Sequence, residues 1–220
     1  MEFDRLLHFL NQLNNNNNRD WFNSNKKEFV ELKEQFEAFI NQLIPKVKHI
    51  DGFKNSLSAK DCIFRIYRDV RFSKNKEPYK SHFGAYIADG GRKSPYAGYY
   101  VHIEPGKSFA GGGIYKPEPT VLKELRYEIM DKVDEFKKII FDKGFKKIYT
   151  ELYGEQLKNP PRGFPKNFAD IELLKLKSYA LVHPIDDKII KSETFENYLL
   201  NLFETAKPFN MFFNKVISEI

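Results

Sequence analysis

The hydrophobic period of this chain changes twice, and that change restricts the fold more than any single motif does. Phe3, Leu6, Leu7, Leu10 and Leu13 recur at the spacing of one helix face, so residues 2–13 are predicted to form a short helix. From Asp20 onward Phe22, Phe29, Leu32, Phe36, Phe39, Ile40, Leu43 and Ile44 keep the same period, which predicts a long amphipathic helix that Pro45 bends or ends. The run of five asparagines at 14–18 competes for backbone hydrogen bonds and reads as a polar loop that ends one helix and caps the next. Between residues 52 and 114 the pattern becomes short β-branched and aromatic segments bounded by Gly and Pro, at 62–67, 83–87, 99–103 and 108–114. These predict an antiparallel sheet, with a turn-rich loop at 89–95 and a tight turn at Pro105 and Gly106.

Helical spacing returns at Leu122, Leu125, Ile129, Val133, Phe136 and Ile140, as one helix or as two with Asp131 capping the second, and Lys143 and Gly144 read as the stop. Residues 157–165 are Pro/Gly-rich and irregular, and 179–183 read as a strand. Two closing helices follow, around Phe195 to Phe203 and around Phe209 to Ile217, with Pro208 near the start of the last. No repeat and no shift in composition marks a linker. The expectation is a single α+β domain over 1–220, helical over 1–50, mainly strand over 60–115 and mixed over 117–220, with a central antiparallel sheet packed by N-terminal and C-terminal helices.

The charge is local. Of a formal net charge of +6, the stretch 65–80 holds six Lys/Arg against Asp69 and Glu77, leaving +2 for the rest of the chain. A positive cluster on a nearly neutral body points to a defined anionic ligand rather than to a basic face spread over nucleic acid or membrane. The single cysteine, Cys62, excludes an intrachain disulfide and reads as a small buried hydrophobe. No basic leader with a cleavage pattern opens the chain, and no apolar run reaches bilayer length, so a cytoplasmic location without membrane contact is expected.

Strand alternation turns the cluster into a candidate site. In 62–67, Phe64 and Ile66 would share an apolar face and Arg65 and Tyr67 the opposite one; in 99–103, Tyr99, Val101 and Ile103 form the apolar set, and Tyr100, His102 and Glu104 the polar one. With both apolar sets toward the helices, Arg65, Tyr67, Tyr100, His102 and Glu104 converge, and the loop carrying Arg68, Arg71, Lys74, Lys76 and Lys80 arches above them. Arg65, Arg68, Arg71, Lys76 and Tyr79 make the expected anion clamp, since guanidinium matches carboxylate or phosphate in bidentate fashion. Asp69 would orient a neighbouring arginine, and Lys80, Tyr100 and Tyr115 complete the ligand-binding set. His82, His102 and Glu104 are the acid/base candidates if chemistry occurs. No metal-ligand spacing is present, the nearby cations oppose a metal, and no cofactor is expected. Gly106–Ser108 precede rather than follow the glycines at 111–113, so no Walker loop is present; those glycines suit a bulge or a close approach of ligand to backbone.

Arg65, Arg68, Asp69, Arg71, Phe72, Lys76 and Tyr79 at this spacing, extended by Lys80 to Gly84, by Gly98 to Gly106 and by Phe109 to Tyr115, resemble the signature of a mostly bacterial family catalogued as domain of unknown function 2461. The resemblance spans the whole chain and implies an α+β domain with a shared site, without an activity. The residues therefore support an anionic, phosphate-bearing small molecule or nucleotide as the ligand, with acid/base or phosphoryl chemistry open. A nucleic-acid-binding module, in which Tyr67, Phe72, Tyr79 or Tyr100 stack on bases, is the second reading. A salt-bridge network without a ligand is the third.

Overall fold

The computed structural model describes residues 1–220. Helices α1 (Phe3–Asn15), α2 (Arg19–Ser24) and α3 (Lys26–Asp51) form the N-terminal layer, and Asn18 caps α2 by accepting from the Trp21 amide. Pro45 neither ends nor replaces helix here: α3 runs six residues further and stops at Gly52, whose φ of 78° is left-handed. Leu43, Ile44, Val47 and Ile50 are all buried around Pro45, and their packing outweighs the roughly 3 kcal/mol that an interior proline costs.

The expected strand at 62–67 is not one. Ser58 and Asp61 form a capping box that starts a single turn, α4 (Ala59–Cys62), and the chain then runs extended with only isolated pairings, Ile63 to Ala85 and Tyr67 to Tyr79. The other three expected strands are present as β1 (Phe83–Ile87), β2 (Gly98–Ile103) and β3 (Phe109–Ile114). After them come α5 (Pro119–Asp131), α6 (Val133–Ile140), α7 (Lys143–Ile148) and α8 (Ile171–Leu174). Asp131 closes α5 rather than capping α6, and Lys143 with Gly144 opens α7 instead of stopping a helix, because Asp142 accepts from the Phe145 amide.

The strand expected at 179–183 appears as two short pieces, β4 (Tyr179–Ala180) and β5 (His183–Pro184), that share one antiparallel register on β3: Ile114 faces Tyr179, Gly113 faces Ala180, Ala110 faces His183 and Phe109 faces Pro184. A final turn, α9 (Asp187–Ile190), leads to α10 (Phe195–Ile217). The two expected closing helices are this one helix, with Pro208 in its interior and Phe203, Phe209, Phe212 and Phe213 buried along it.

The sheet is antiparallel throughout, in the order β1-β2-β3 with β4 and β5 on the far side of β3. This is the expected α+β class, with helices on one face of the sheet. Tyr99, Val101 and Ile103 are fully buried toward the helices, and the Tyr99 ring lies 4.9 Å from that of Phe203. Two asparagines one turn apart on α10 hold the sheet from this side: Asn210 accepts from the Gly113 amide at 2.8 Å and donates to the Gly98 carbonyl at 3.0 Å, while Asn214 bonds both backbone groups of Ala97. The glycines of β3 are explained by this packing rather than by a ligand. A Cβ at Gly111 would lie 1.8 Å from the Leu181 carbonyl oxygen, and one at Gly113 2.1 Å from that of Tyr179. No helix is long and apolar enough to cross a membrane.

Candidate functional site

The sheet face turned away from the helices is the floor of a cleft. The register places Gly84 beside His102, Tyr86 beside Tyr100, Tyr100 beside Gly111 and His102 beside Phe109, all on this face. The alternation expected for β2 is therefore present: Tyr100 and His102 face the cleft while their neighbours face the helices. Gly84 has a defined task, since a Cβ there would stand 2.5 Å from the Tyr100 hydroxyl.

The basic stretch forms an arm that leaves the sheet at β1 and returns to it. Phe64 donates its amide to the Gly84 carbonyl, Lys80 to that of Ile66, and Arg68 to that of Pro78, so 63–68 run antiparallel to 78–85. This pairing turns Phe64, rather than Arg65, toward the cleft, where its ring meets Tyr100 edge-on at 6.1 Å. Lys80 and His82 line the cleft from the returning limb, and the Lys80 ammonium lies 5.5 Å from the centre of the Phe64 ring.

All five members of the expected clamp lie on the arm, outside the lining of the cleft. Arg65 is exposed. Arg71 forms a two-pronged pair with Asp69, at 3.0 and 2.6 Å, and its side chain is 76% exposed. Arg68 reaches Glu77 at 3.4 Å, and Lys76 donates to the Val70 carbonyl. Tyr79 is buried, stacked on Phe22 at 3.9 Å, with both backbone groups bonded to the Asn17 side chain. The asparagine run thus clasps the base of the arm against the helical layer. Tyr67 packs on Tyr79 and Phe22, and Phe72 at the tip is 95% exposed.

Other segments complete the cleft, which encloses about 740 Å³. Arg92, Lys93 and Pro95 come from the loop after β1; Tyr115, Lys116 and Glu118 come from the turn after β3; Tyr153 and Leu181 close the far end. Sequence reasoning singled out Tyr115, noted Lys116 only as its neighbour at the same edge, and passed over Phe64, Arg92 and Lys93. Arg92 and Lys93 carried a detectable signal, two adjacent cations in a loop next to a polar strand face. Lys116 carried little, because it depends on a left-handed backbone, φ 50°, at a non-glycine residue. Four cations, Lys80, Arg92, Lys93 and Lys116, face the cleft with one carboxylate, Glu118. A second groove, between α6, α7 and α10, sets Glu135, Asp142 and Glu204 against Lys138, Lys147 and Lys215 and contains no histidine or cysteine.

At the floor a hydrogen-bonded chain runs along β2. The His102 Nε2 lies 2.9 Å from Glu104 Oε2 and its Nδ1 3.1 Å from the Tyr100 hydroxyl. With Glu104 ionised, Nε2–H donates to the carboxylate, which leaves Nδ1 to accept from the Tyr100 O–H. Ser81 donates to the other Glu104 oxygen at 3.4 Å. Burial lowers the His102 pKa against the opposing pull of Glu104, and burial with the Glu104 charge pushes the Tyr100 phenol up to about 12. His82 packs on His102, with ring centres 4.2 Å apart and planes tilted by 33°, and accepts no protein hydrogen bond; burial, His102 and Lys80 push it down to about 3, so it is neutral. The donor atoms of His82, His102 and Glu104 all lie within 4.8 Å of one another. The three acid/base candidates are thus brought together: His82 and His102 line the cleft with Lys80, Tyr100 and Tyr115, and Glu104 is bonded to His102.

A family model described as "Conserved hypothetical protein (DUF2461)" matches residues 5–212 and so covers every segment that builds the cleft. No curated protein and no solved structure matches the chain.

Proposed function

We propose that this chain, which belongs to the DUF2461 family, binds a small anionic molecule with a flat apolar part, of the nucleotide class, in the cleft over β1, β2 and β3. The observation that carries the reading is the lining: four cations against one carboxylate on the rim, over a floor and wall of Phe64, Tyr86, Tyr100, Phe109, Tyr115 and Tyr153. Cations on a concave, partly dry surface favour phosphate or carboxylate, and aromatic faces favour a planar ring. The chain of Tyr100, His102 and Glu104, with the neutral His82 beside it, supplies proton donors and acceptors where the ligand would rest. On the arm Arg68 and Arg71 are engaged by Glu77 and Asp69 and Arg65 is exposed, all three outside the cleft lining, so their contribution is small.

Calorimetric titration with inorganic phosphate, pyrophosphate and the nucleoside monophosphates tests this on wild type, Lys80→Ala, Lys116→Ala and Arg71→Ala. Each lost charge-assisted contact costs about 1.5–3 kcal/mol, so the two cleft variants are expected to bind tenfold to a hundredfold more weakly and Arg71→Ala like wild type. A loss confined to Arg71→Ala would move the ligand to the arm.

The tip of the arm supports a second reading. Phe72 is 95% exposed with the Arg71 guanidinium 5.9 Å from its ring, beside Lys74 and Lys76. That arrangement suits a single nucleic-acid strand, with bases stacked on Phe72 and phosphates on the cations. Fluorescence titration with oligonucleotides would then show affinity that falls steeply with salt and is lost in Phe72→Ala; salt-independent or absent binding at low ionic strength counts against it.

A further inference from the structure

We propose that His82, His102 and Glu104 form a site for one divalent first-row transition-metal cation at the floor of the cleft. The strand register builds it. Continuing the pairing of Phe83 with Ile103 by one step sets His82 opposite Glu104, and the same register puts Gly84 opposite His102, so the three side chains leave one sheet face at adjacent positions. Two imidazoles and a carboxylate within 4.8 Å are the donor types that such ions take, and three protein donors leave coordination positions open toward the cleft.

The distances fit. Donors about 2.0–2.2 Å from a shared ion stand roughly 3.0–3.4 Å apart, and the 2.9 Å between His102 Nε2 and Glu104 Oε2 is close to that bite. His82 needs a side-chain rotation to close on it, and no protein group holds its ring nitrogens back. The surrounding bonds are those that hold metal ligands in place: the Tyr100 hydroxyl on His102 Nδ1 and Ser81 on Glu104 Oε1. Lys107, 4.0 Å from Glu104 Oε1, is 78% exposed and free to swing into solvent. On binding, His102 changes tautomer. Nε2 releases its proton to solvent and bonds the ion, while Nδ1 takes one up from solvent, keeps it, and with it donates a hydrogen bond to the Tyr100 oxygen, freeing the Tyr100 O–H to point into the cleft. No net proton is gained or lost by the ring.

The test uses chelator-treated full-length protein titrated with Zn²⁺ against a chromophoric competitor, and with Co²⁺ followed by its visible absorption. Wild type is expected to take up one ion per chain, with affinity reduced in His82→Asn and in Glu104→Gln, both conservative in shape, and in His102→Ala by at least the roughly 10- to 100-fold that losing an outer-shell partner costs. Circular dichroism of the metal-free variants checks that they are folded. No stoichiometric uptake by wild type, or wild-type affinity in His82→Asn and Glu104→Gln, overturns the site. Lys116→Ala separates this from the anion reading: it should keep the ion while losing the anion. Anion binding by wild type without metal uptake would sink the metal site alone.

Discussion

Replacing Asn210 by alanine tests how α10 holds the sheet. The side chain is fully buried and bonds two backbone groups, the Gly113 amide at 2.8 Å and the Gly98 carbonyl at 3.0 Å. An orphaned buried polar group costs about 1–3 kcal/mol, so orphaning both should cost about 2–6 kcal/mol. Domains of this kind unfold with only about 5–15 kcal/mol, so the variant would forfeit a large part of its stability. Asn214 makes the equivalent pair of bonds to Ala97 but is only partly buried, and water can replace it; Asn214→Ala should cost about 1 kcal/mol. Urea denaturation of wild type and both variants measures the difference directly. Equal costs, or a loss below about 1 kcal/mol for Asn210→Ala, would show that the two groups find other partners and that the account of the clasp is wrong. Since Gly113 also lines the cleft, ligand affinity should fall with stability in Asn210→Ala and hold in Asn214→Ala.

Three further outcomes are expected. Gly84→Ala forces the Tyr100 hydroxyl off His102, so its ligand affinity should match that of Tyr100→Phe; wild-type affinity in Gly84→Ala would show that the phenol position is unimportant. Burial raises the Asp51 carboxyl above its ordinary value despite the bond from Tyr99, so the folded state binds the proton more tightly than the unfolded one, and Asp51 opposes folding increasingly as pH rises above the usual carboxylate range. Asp51→Asn should therefore gain stability relative to wild type between pH 4 and pH 7 in parallel urea titrations, and a flat difference would refute the assignment. Cys62 is fully buried with its thiol pushed up to about 12, so a thiol reagent should modify it only at the rate of unfolding; fast reaction in native buffer would contradict its burial.

The fold was legible in the sequence where one face of an element meets the core. β2 alternates cleanly because helices cover one of its faces and the cleft occupies the other, and the 3.6 period survives in α1, α3 and α10 for the same reason. Prolines misled because they are local signals: the bend or end expected at Pro45 and the helix start expected near Pro208 give way to continuous helices with buried side chains packed on both sides of each. The site was legible in its polar half. Tyr100, His102 and Glu104 share a strand face by spacing alone, whereas His82 meets Glu104 only through the register of two strands, 22 residues apart in the chain. The arm shows the limit of composition. Counting cations located the charge, but the pairing of 63–68 with 78–85 decides which side chains face inward, and it selects Phe64, Lys80 and His82 over the arginines.

The glycines of β3 bear on how such a cleft can diversify. At Gly111 and Gly113 any side chain would collide with a neighbouring main-chain carbonyl rather than with another side chain, so no compensating substitution next door relieves it. The rear wall is for that reason closed to mutational tuning. Along β3 a change of ligand preference is barred at these two positions; the loop that carries Arg92 and Lys93 and the turn that carries Tyr115 and Lys116 can exchange side chains without moving a strand.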